Sequence, residues 1–155
     1  MKIVINVCYG GFSLSWEAVK RLAELNNREF YLFESEGFSK EREYTPVSEN
    51  YDKNSWTLTA FDIPNPNEVI GVWPDNGTIE EKRAHNALYN SHSFDVCPTD
   101  RTDPLLIQVV EELGDKANGS CAELKVIEIP DDVDYEIEEY NGQEWVAEKH
   151  RTWSY

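Results

Sequence analysis

Asn141-Gly142 separates two runs of alternating character, Val133 to Tyr140 and Gln143 to Lys149. The tightest right-twisting hairpin turn needs positive φ at both central residues, and Asn-Gly adopts that pair of conformations at little steric cost. The C-terminal part of the chain is thereby held to a β-hairpin. Within DDVDYEIEE at 131–139, alternation puts Asp134, Glu136 and Glu138 on one face and Val133, Tyr135 and Ile137 on the other. A solvated face opposite a packed one follows.

The rest of the chain is read from the same local signals. Lys2 to Tyr9 is β-branched and apolar, a buried strand ended by Gly10-Gly11. Ser15 is placed to cap a helix on which Trp16, Val19, Leu22, Ala23 and Leu25 share a face, with a stop at Asn26-Asn27. Arg28 to Glu34 reads as a strand, 35–54 as loop, Ser55 to Ile63 as a strand, Pro64 to Asn67 as a turn and Val69 to Val72 as a short strand. Thr78 and Glu81 form a capping box for a helix from Ile79 to Asn90, and 91–100 reads as loop. Asp103-Pro104 opens a further helix whose apolar residues run from Leu105 to Leu113, with Gly114 past its end. Ala122 to Ile129 is a strand stopped by Pro130. The order predicts an α+β fold, with an antiparallel or mixed sheet, about three helices and the C-terminal β-hairpin. No repeat interrupts it, and 1–155 is expected to be a single domain.

Five Trp, eight Tyr and six Phe supply the bulk for a core. No apolar run reaches the roughly 18–20 residues that span a bilayer, so no membrane partner is expected. The N-terminus lacks the small-residue cleavage pattern of a signal peptide, and three cysteines without CxxC spacing fit reduced thiols in the cytoplasm. Thirty acids against fourteen bases leave a net charge of −16, and residues 111–149 alone hold thirteen acids and three bases. Such a field repels nucleic acid, so direct DNA binding is not expected, and an anionic ligand must be held by a few local arginines.

Candidate sites are sparse. A strand, Gly10-Gly11 and a helix resemble the layout of an anion-cradling loop, but no phosphate-binding glycine motif is present, and a plain tight turn explains the same residues. Arg101 precedes a well-marked helix start, where guanidinium and free N–H groups would converge on a phosphate. The competing reading has Asp103 capping the helix and Arg101 paired with Asp100. Arg28 is a second isolated cation, or simply a surface residue. His85, His92 and His150, with Cys97, lack metal-ligand spacing, so no metal or other cofactor is expected. No nucleophile carries a local catalytic motif. Tyr9, Phe12, Trp73, Tyr89 and Phe94 flank loops, where they either stack on a planar ligand or seal the ends of the core.

Three stretches carry a family resemblance: VINVCYGGFSLS at 4–15, DRTDPLLIQVVEELG at 100–114 and LKVIEIPDDVDYEIEEYNGQEWVAEKHRTW at 124–153. Together they resemble the first Thoeris anti-defence family of phage proteins. The resemblance covers both ends of the chain and the helix at 103–113, and leaves 35–75 outside it. It implies a sponge that binds cyclic ADP-ribose isomers made by a bacterial TIR-domain enzyme, sequestering the signal uncleaved in the infected host. It also implies cyclic oligonucleotide binding in some members and assembly as a homodimer or larger homo-oligomer. Family sites use arginines on the phosphates and an aromatic near the base. Carried over by match, these are Arg101 with Asp100, and Arg28. Asn86 and the loop Tyr9, Gly10, Gly11 and Phe12 follow, with Trp73 as the stacking aromatic.

Two rival functions remain. The acidic hairpin at 131–148 suits a nucleic-acid mimic that blocks a DNA-binding defence enzyme. A hydrolase using His85 or His92 is the third reading.

Overall fold

The structure is a computed structural model that describes residues 1–36, 42–150 and 153–154. The chain divides into two compact units, one of residues 1–22 with 96–155 and one of residues 23–95. Mixed α and β content, antiparallel pairing throughout and a C-terminal hairpin make it an α+β protein, as the element order predicts.

In the first unit β1 (Lys2–Asn6) pairs antiparallel with the last strand before the hairpin, placing Val4 opposite Val126. Ile3, Val4 and Ile5 are buried, as a β-branched run in a covered strand should be. The first helix, α1 (Trp16–Leu25), starts where expected: Ser15 Oγ accepts from Ala18 N at 3.1 Å. It ends on Asn27, whose left-handed φ of 54° turns the chain so that Arg28 N donates to the Ala23 carbonyl. Residues expected to open a strand at Arg28 are therefore spent on the helix cap, and β2 begins at Tyr31.

The second unit is built on β2 (Tyr31–Glu36), flanked antiparallel by β3 (Glu43–Pro46) and β4 (Leu58–Phe61). Strand β3 lies inside the stretch read as loop. It is a short edge strand of polar residues ending in proline, and only Tyr44 turns inward. Its open edge is plugged by a side chain: Asn67 Oδ1 accepts from Tyr44 N at 2.9 Å and Asn67 Nδ2 donates to Tyr44 O at 2.8 Å. Asn67→Ala leaves both backbone groups without their partner. It is expected to cost about 1–3 kcal/mol in denaturant unfolding, while Asn67→Asp, which keeps one acceptor, costs less.

Asn67 sits in α2 (Pro66–Val69), one helical turn begun by Pro66 where a turn was expected. The strand expected at Val69 to Val72 does not form. Gly71, at φ 71°, breaks the extended backbone there, and Val69 and Val72 are exposed. Helix α3 (Ile79–His92) carries both arms of the predicted capping box: Glu81 N donates to Thr78 Oγ1 and Thr78 N donates to the Glu81 carboxylate.

The chain then returns to the first unit. Helix α4 (Pro104–Leu113) is capped by Asp103, which accepts from Leu105 N at 3.0 Å, and is ended by Gly114 at φ 54°. Its buried Leu106, Val109 and Val110 pack towards β1 and β5 (Leu124–Glu128). Strands β6 (Tyr135–Tyr140) and β7 (Gln143–Glu148) form the hairpin, with Asn141 at φ 49° and Gly142 at φ 87°. Asp134, Glu136 and Glu138 are exposed and Val133, Tyr135 and Ile137 half-buried, the alternation read from sequence. Gly142 is required twice over. Its φ is left-handed, and a Cβ there would lie 2.3 Å from Gly11 N. No helix among the described residues is long and apolar enough to cross a membrane.

Candidate ligand-binding site

The second unit is organised around stacked aromatics. Phe61 is the hub: its ring meets Phe33 at 5.9 Å, Tyr44 edge-on at 4.9 Å and Tyr89 edge-on at 5.6 Å. Tyr44 and Tyr89 pass from this core to a pocket of about 230 Å³, lined by Arg42, Tyr44, Gly71, Trp73, His85, Asn86 and Tyr89. Three elements supply it. The start of β3 brings Arg42 and Tyr44, the turn after α2 brings Gly71 and Trp73, and α3 brings the rest. Helical spacing explains the last group, because His85, Asn86 and Tyr89 lie three and four residues apart and share a face.

The imidazole of His85 is fixed by its neighbours. Its Nε2 donates to the Gly71 carbonyl, which only accepts, at 3.3 Å. Its ring meets Trp73 edge-on at 5.3 Å. The opposite nitrogen, Nδ1, is buried and is the one such side-chain atom among the described residues with no hydrogen-bond partner. Burial and the nearby Tyr89 hydroxyl raise the Tyr44 hydroxyl above its ordinary range, against the opposing pull of Arg42, so Tyr44 stays protonated at neutral pH. The lining thus offers π faces, one exposed guanidinium, one amide able to donate and accept side by side, and a phenol donor.

Of the residues singled out from sequence, Trp73, Asn86, Tyr89 and His85 are brought together here. Arg28 belongs to the same unit but is not on the lining. Its Nη2 donates to Asp62 Oδ2 at 3.0 Å while its guanidinium covers the Phe94 ring at 4.2 Å. The other Asp62 oxygen accepts from His92 Nδ1 at 2.8 Å. Burial works to raise this carboxyl, but the hydrogen bonds from His92 and Arg28 outweigh it and hold it below the usual carboxylate range. Asp62 is thus ionised at neutral pH, and the stability its bonds confer is lost as acid protonates it.

The remaining candidates lie in the first unit, and Arg101 is committed there to an internal bond. Its Nη1 and Nη2 donate to the two oxygens of Glu144 at 3.0 and 3.2 Å, its Nε donates to Pro98 O at 3.0 Å, and its plane lies 3.4 Å over the Phe12 ring. Glu144 also accepts from Asn6 N at 2.9 Å. The side chains are only 16% and 9% exposed. The expected Asp100–Arg101 pairing is replaced by this one. Asp100 instead accepts from the Thr102 hydroxyl and backbone N–H, which together lower its carboxyl below the usual range. Phe12 does meet Arg101, as a stacking face for the guanidinium. Gly10 and Gly11 form a close-packed turn rather than an open cradle: a Cβ on Gly10 would lie 2.1 Å from Cys121 O. Tyr9 is 69% exposed and lines a shallow groove with Cys8 and Cys121.

Arg42, Tyr44 and Gly71 carry no such signal in the sequence, where 35–54 reads as loop and Gly71 as strand. Tyr89 is one of the loop aromatics that the sequence offers as stacking faces, whereas His85 reads there as a metal ligand or general base; the helical spacing of both from Asn86 is legible. Among the described residues no three His, Cys, Asp or Glu side chains gather as metal ligands. Fold and site define a small α+β protein with an aromatic-lined pocket in one unit and a buried Arg–Glu tether in the other. No protein-family model, curated protein or solved structure matches the chain.

Proposed function

We propose that the pocket of the second unit captures a nucleotide and holds it unchanged. The observation that carries this reading is the lining itself, in which Trp73, Tyr89 and Tyr44 stand with Asn86 and Arg42 around one cavity. A base stacked on an aromatic face gains about 1–3 kcal/mol whatever its identity, and the Asn86 amide can meet a purine edge in a two-point contact. Ligand cavities usually run from about 300 to 1,000 Å³, so this one suits a base and leaves sugar and phosphate at its opening. There Arg42 grips an oxygen pair through short charge-assisted bonds. Those bonds act at contact range, where the −16 net charge weighs least.

The resemblance to the first Thoeris anti-defence family supplies the setting: a phage protein that sequesters a cyclic ADP-ribose isomer inside the infected bacterium, as a homodimer or larger assembly. A sponge needs affinity alone, with no transition state to favour. A cyclic ligand also loses little freedom on capture. The exposed Asp134, just before β6, and Glu136 and Glu138 on it favour a second reading, a mimic of the nucleic-acid backbone.

A thermal-shift panel separates them. With cyclic ADP-ribose isomers, cyclic oligonucleotides and AMP supplied at a hundred times the dissociation constant, a binder gains about 2.7 kcal/mol of stability. At least one nucleotide is expected to raise the unfolding temperature. No shift with any of them, together with salt-sensitive capture of a basic DNA-binding protein, would favour the mimic and overturn the pocket reading.

A further inference from the structure

The three cysteines are reduced and unequal. Cys8 follows β1 and Cys121 precedes β5, and the pairing of those strands extends beyond them, since Val7 N donates to Glu123 O at 2.8 Å. The two cysteines therefore lie on adjoining segments. The Cys8 thiol is 3.3 Å from the Cys121 carbonyl oxygen and 3.3 Å from Asn6 Oδ1. Gly10 allows this closeness, because a Cβ there would also lie 3.0 Å from the Cys121 Cβ. Both cysteines line one groove of about 530 Å³ with Tyr9, Asp115, Ser120 and Glu123. Cys121 and Cys97 are both exposed and Cys8 is half-buried, but Cys97 is not on this groove. Cys97 is directed elsewhere, its thiol 3.1 Å from Phe12 O.

We propose that Cys121 and Cys8 are a peroxide-reactive thiol pair, in which the exposed Cys121 is oxidised first and Cys8 resolves it. The Cys121 thiolate attacks one oxygen of hydrogen peroxide. The O–O bond breaks, and the departing hydroxide leaves as water with the proton the thiol gave up. The sulfenic acid on Cys121 is then attacked by the Cys8 thiolate, an S–S bond forms, the S–O bond breaks, and hydroxide leaves as a second water with the proton from Cys8. Two thiols lose two electrons and one peroxide is reduced to two waters. Asp115 and Glu123 on the groove, and the net charge of −16, disfavour an anionic oxidant such as glutathione disulfide and leave a small neutral one preferred. The bond would tie the residue just before Tyr9 and Gly10 to the segment before β5, beside the turn against which Gly142 packs.

The test treats the reduced full chain with a slight excess of hydrogen peroxide, blocks remaining thiols by alkylation, and maps peptides by mass. The expected product has lost two hydrogens, joins the Cys8 and Cys121 peptides, reverts with dithiothreitol, and leaves Cys97 alkylated. Cys8→Ser and Cys8→Ala should strand a sulfenic acid on Cys121 that dimedone traps, while Cys121→Ser should consume no peroxide at Cys8. Glutathione disulfide should react more slowly than peroxide. Over-oxidation of Cys121 without a cross-link, or preferential loss of Cys97, overturns the proposal on the wild-type chain alone.

Discussion

Glu144→Ala is expected to lower the unfolding free energy of the chain by about 3–5 kcal/mol, the cost of removing one partner from a buried ion pair. An exposed pair would lose only about 0–1 kcal/mol, and burial decides between the two figures. Both Arg101–Glu144 oxygen contacts lie under cover, the guanidinium is closed on one face by Phe12, and Glu144 is the acceptor for Asn6 N. Asn6 is itself fully buried, and its amide donates to Cys8 O and Gly142 O and accepts from Glu123 N. Without Glu144 a cation is stranded beside Phe12 and a backbone N–H at the end of β1 loses its partner. With about 5–15 kcal/mol holding a domain of this kind together, such a loss would be visible at once in a urea titration. The double substitution Arg101→Met with Glu144→Leu should recover most of it, since it removes both charges and keeps apolar bulk. A loss below about 1 kcal/mol for Glu144→Ala would mean that water reaches the pair and that the hairpin is held by its packing and its other hydrogen bonds, such as Asn6 to Gly142 O.

Trp73→Ala is expected to weaken capture of a cyclic ADP-ribose isomer by about 1–3 kcal/mol, roughly tenfold to more than a hundredfold in the dissociation constant, with the fold retained. Trp73 is half-buried at the pocket, meets the His85 ring at right angles and is not part of the Phe33–Tyr44–Phe61 core, so its removal opens the lining without hollowing that core. Trp73→Phe should keep most of the affinity, because a π face survives. Arg42→Ala should cost about 1.5–3 kcal/mol through the lost charge-assisted bond, and its effect should vanish for a ligand stripped of phosphate. Calorimetric titration of the three variants reads each value directly. Equal affinity in wild type and Trp73→Ala would remove this pocket from the account.

The elements with strong local signals were legible in the sequence. Asp103-Pro104 with Gly114, Thr78 with Glu81, Ser15, and Asn141-Gly142 each satisfy backbone groups within a few residues, so the signal and the structure are the same contact. What escaped depends on partners distant in sequence. Strand β3 exists because β2 pairs with it and Asn67 closes its edge, and neither is visible in Glu43–Pro46. Arg101 was conspicuous for its place before a helix, but Glu144, which fixes its role, lies on the second strand of the hairpin. Trp73 and Asn86 drew notice separately. Their meeting required Gly71 to turn the chain after α2 and α3 to present His85, Asn86 and Tyr89 along one face.

The measurement that bears most directly on the central claim is recovery of the captured molecule. The chain would be mixed with a cyclic ADP-ribose isomer, freed of unbound ligand by gel filtration and heat-denatured, and the released small molecule weighed by mass spectrometry. The account predicts release of the isomer with its mass unchanged from the wild-type chain, and little or none from Trp73→Ala. A hydrolysed or rearranged product, or equal recovery from both chains, would contradict it.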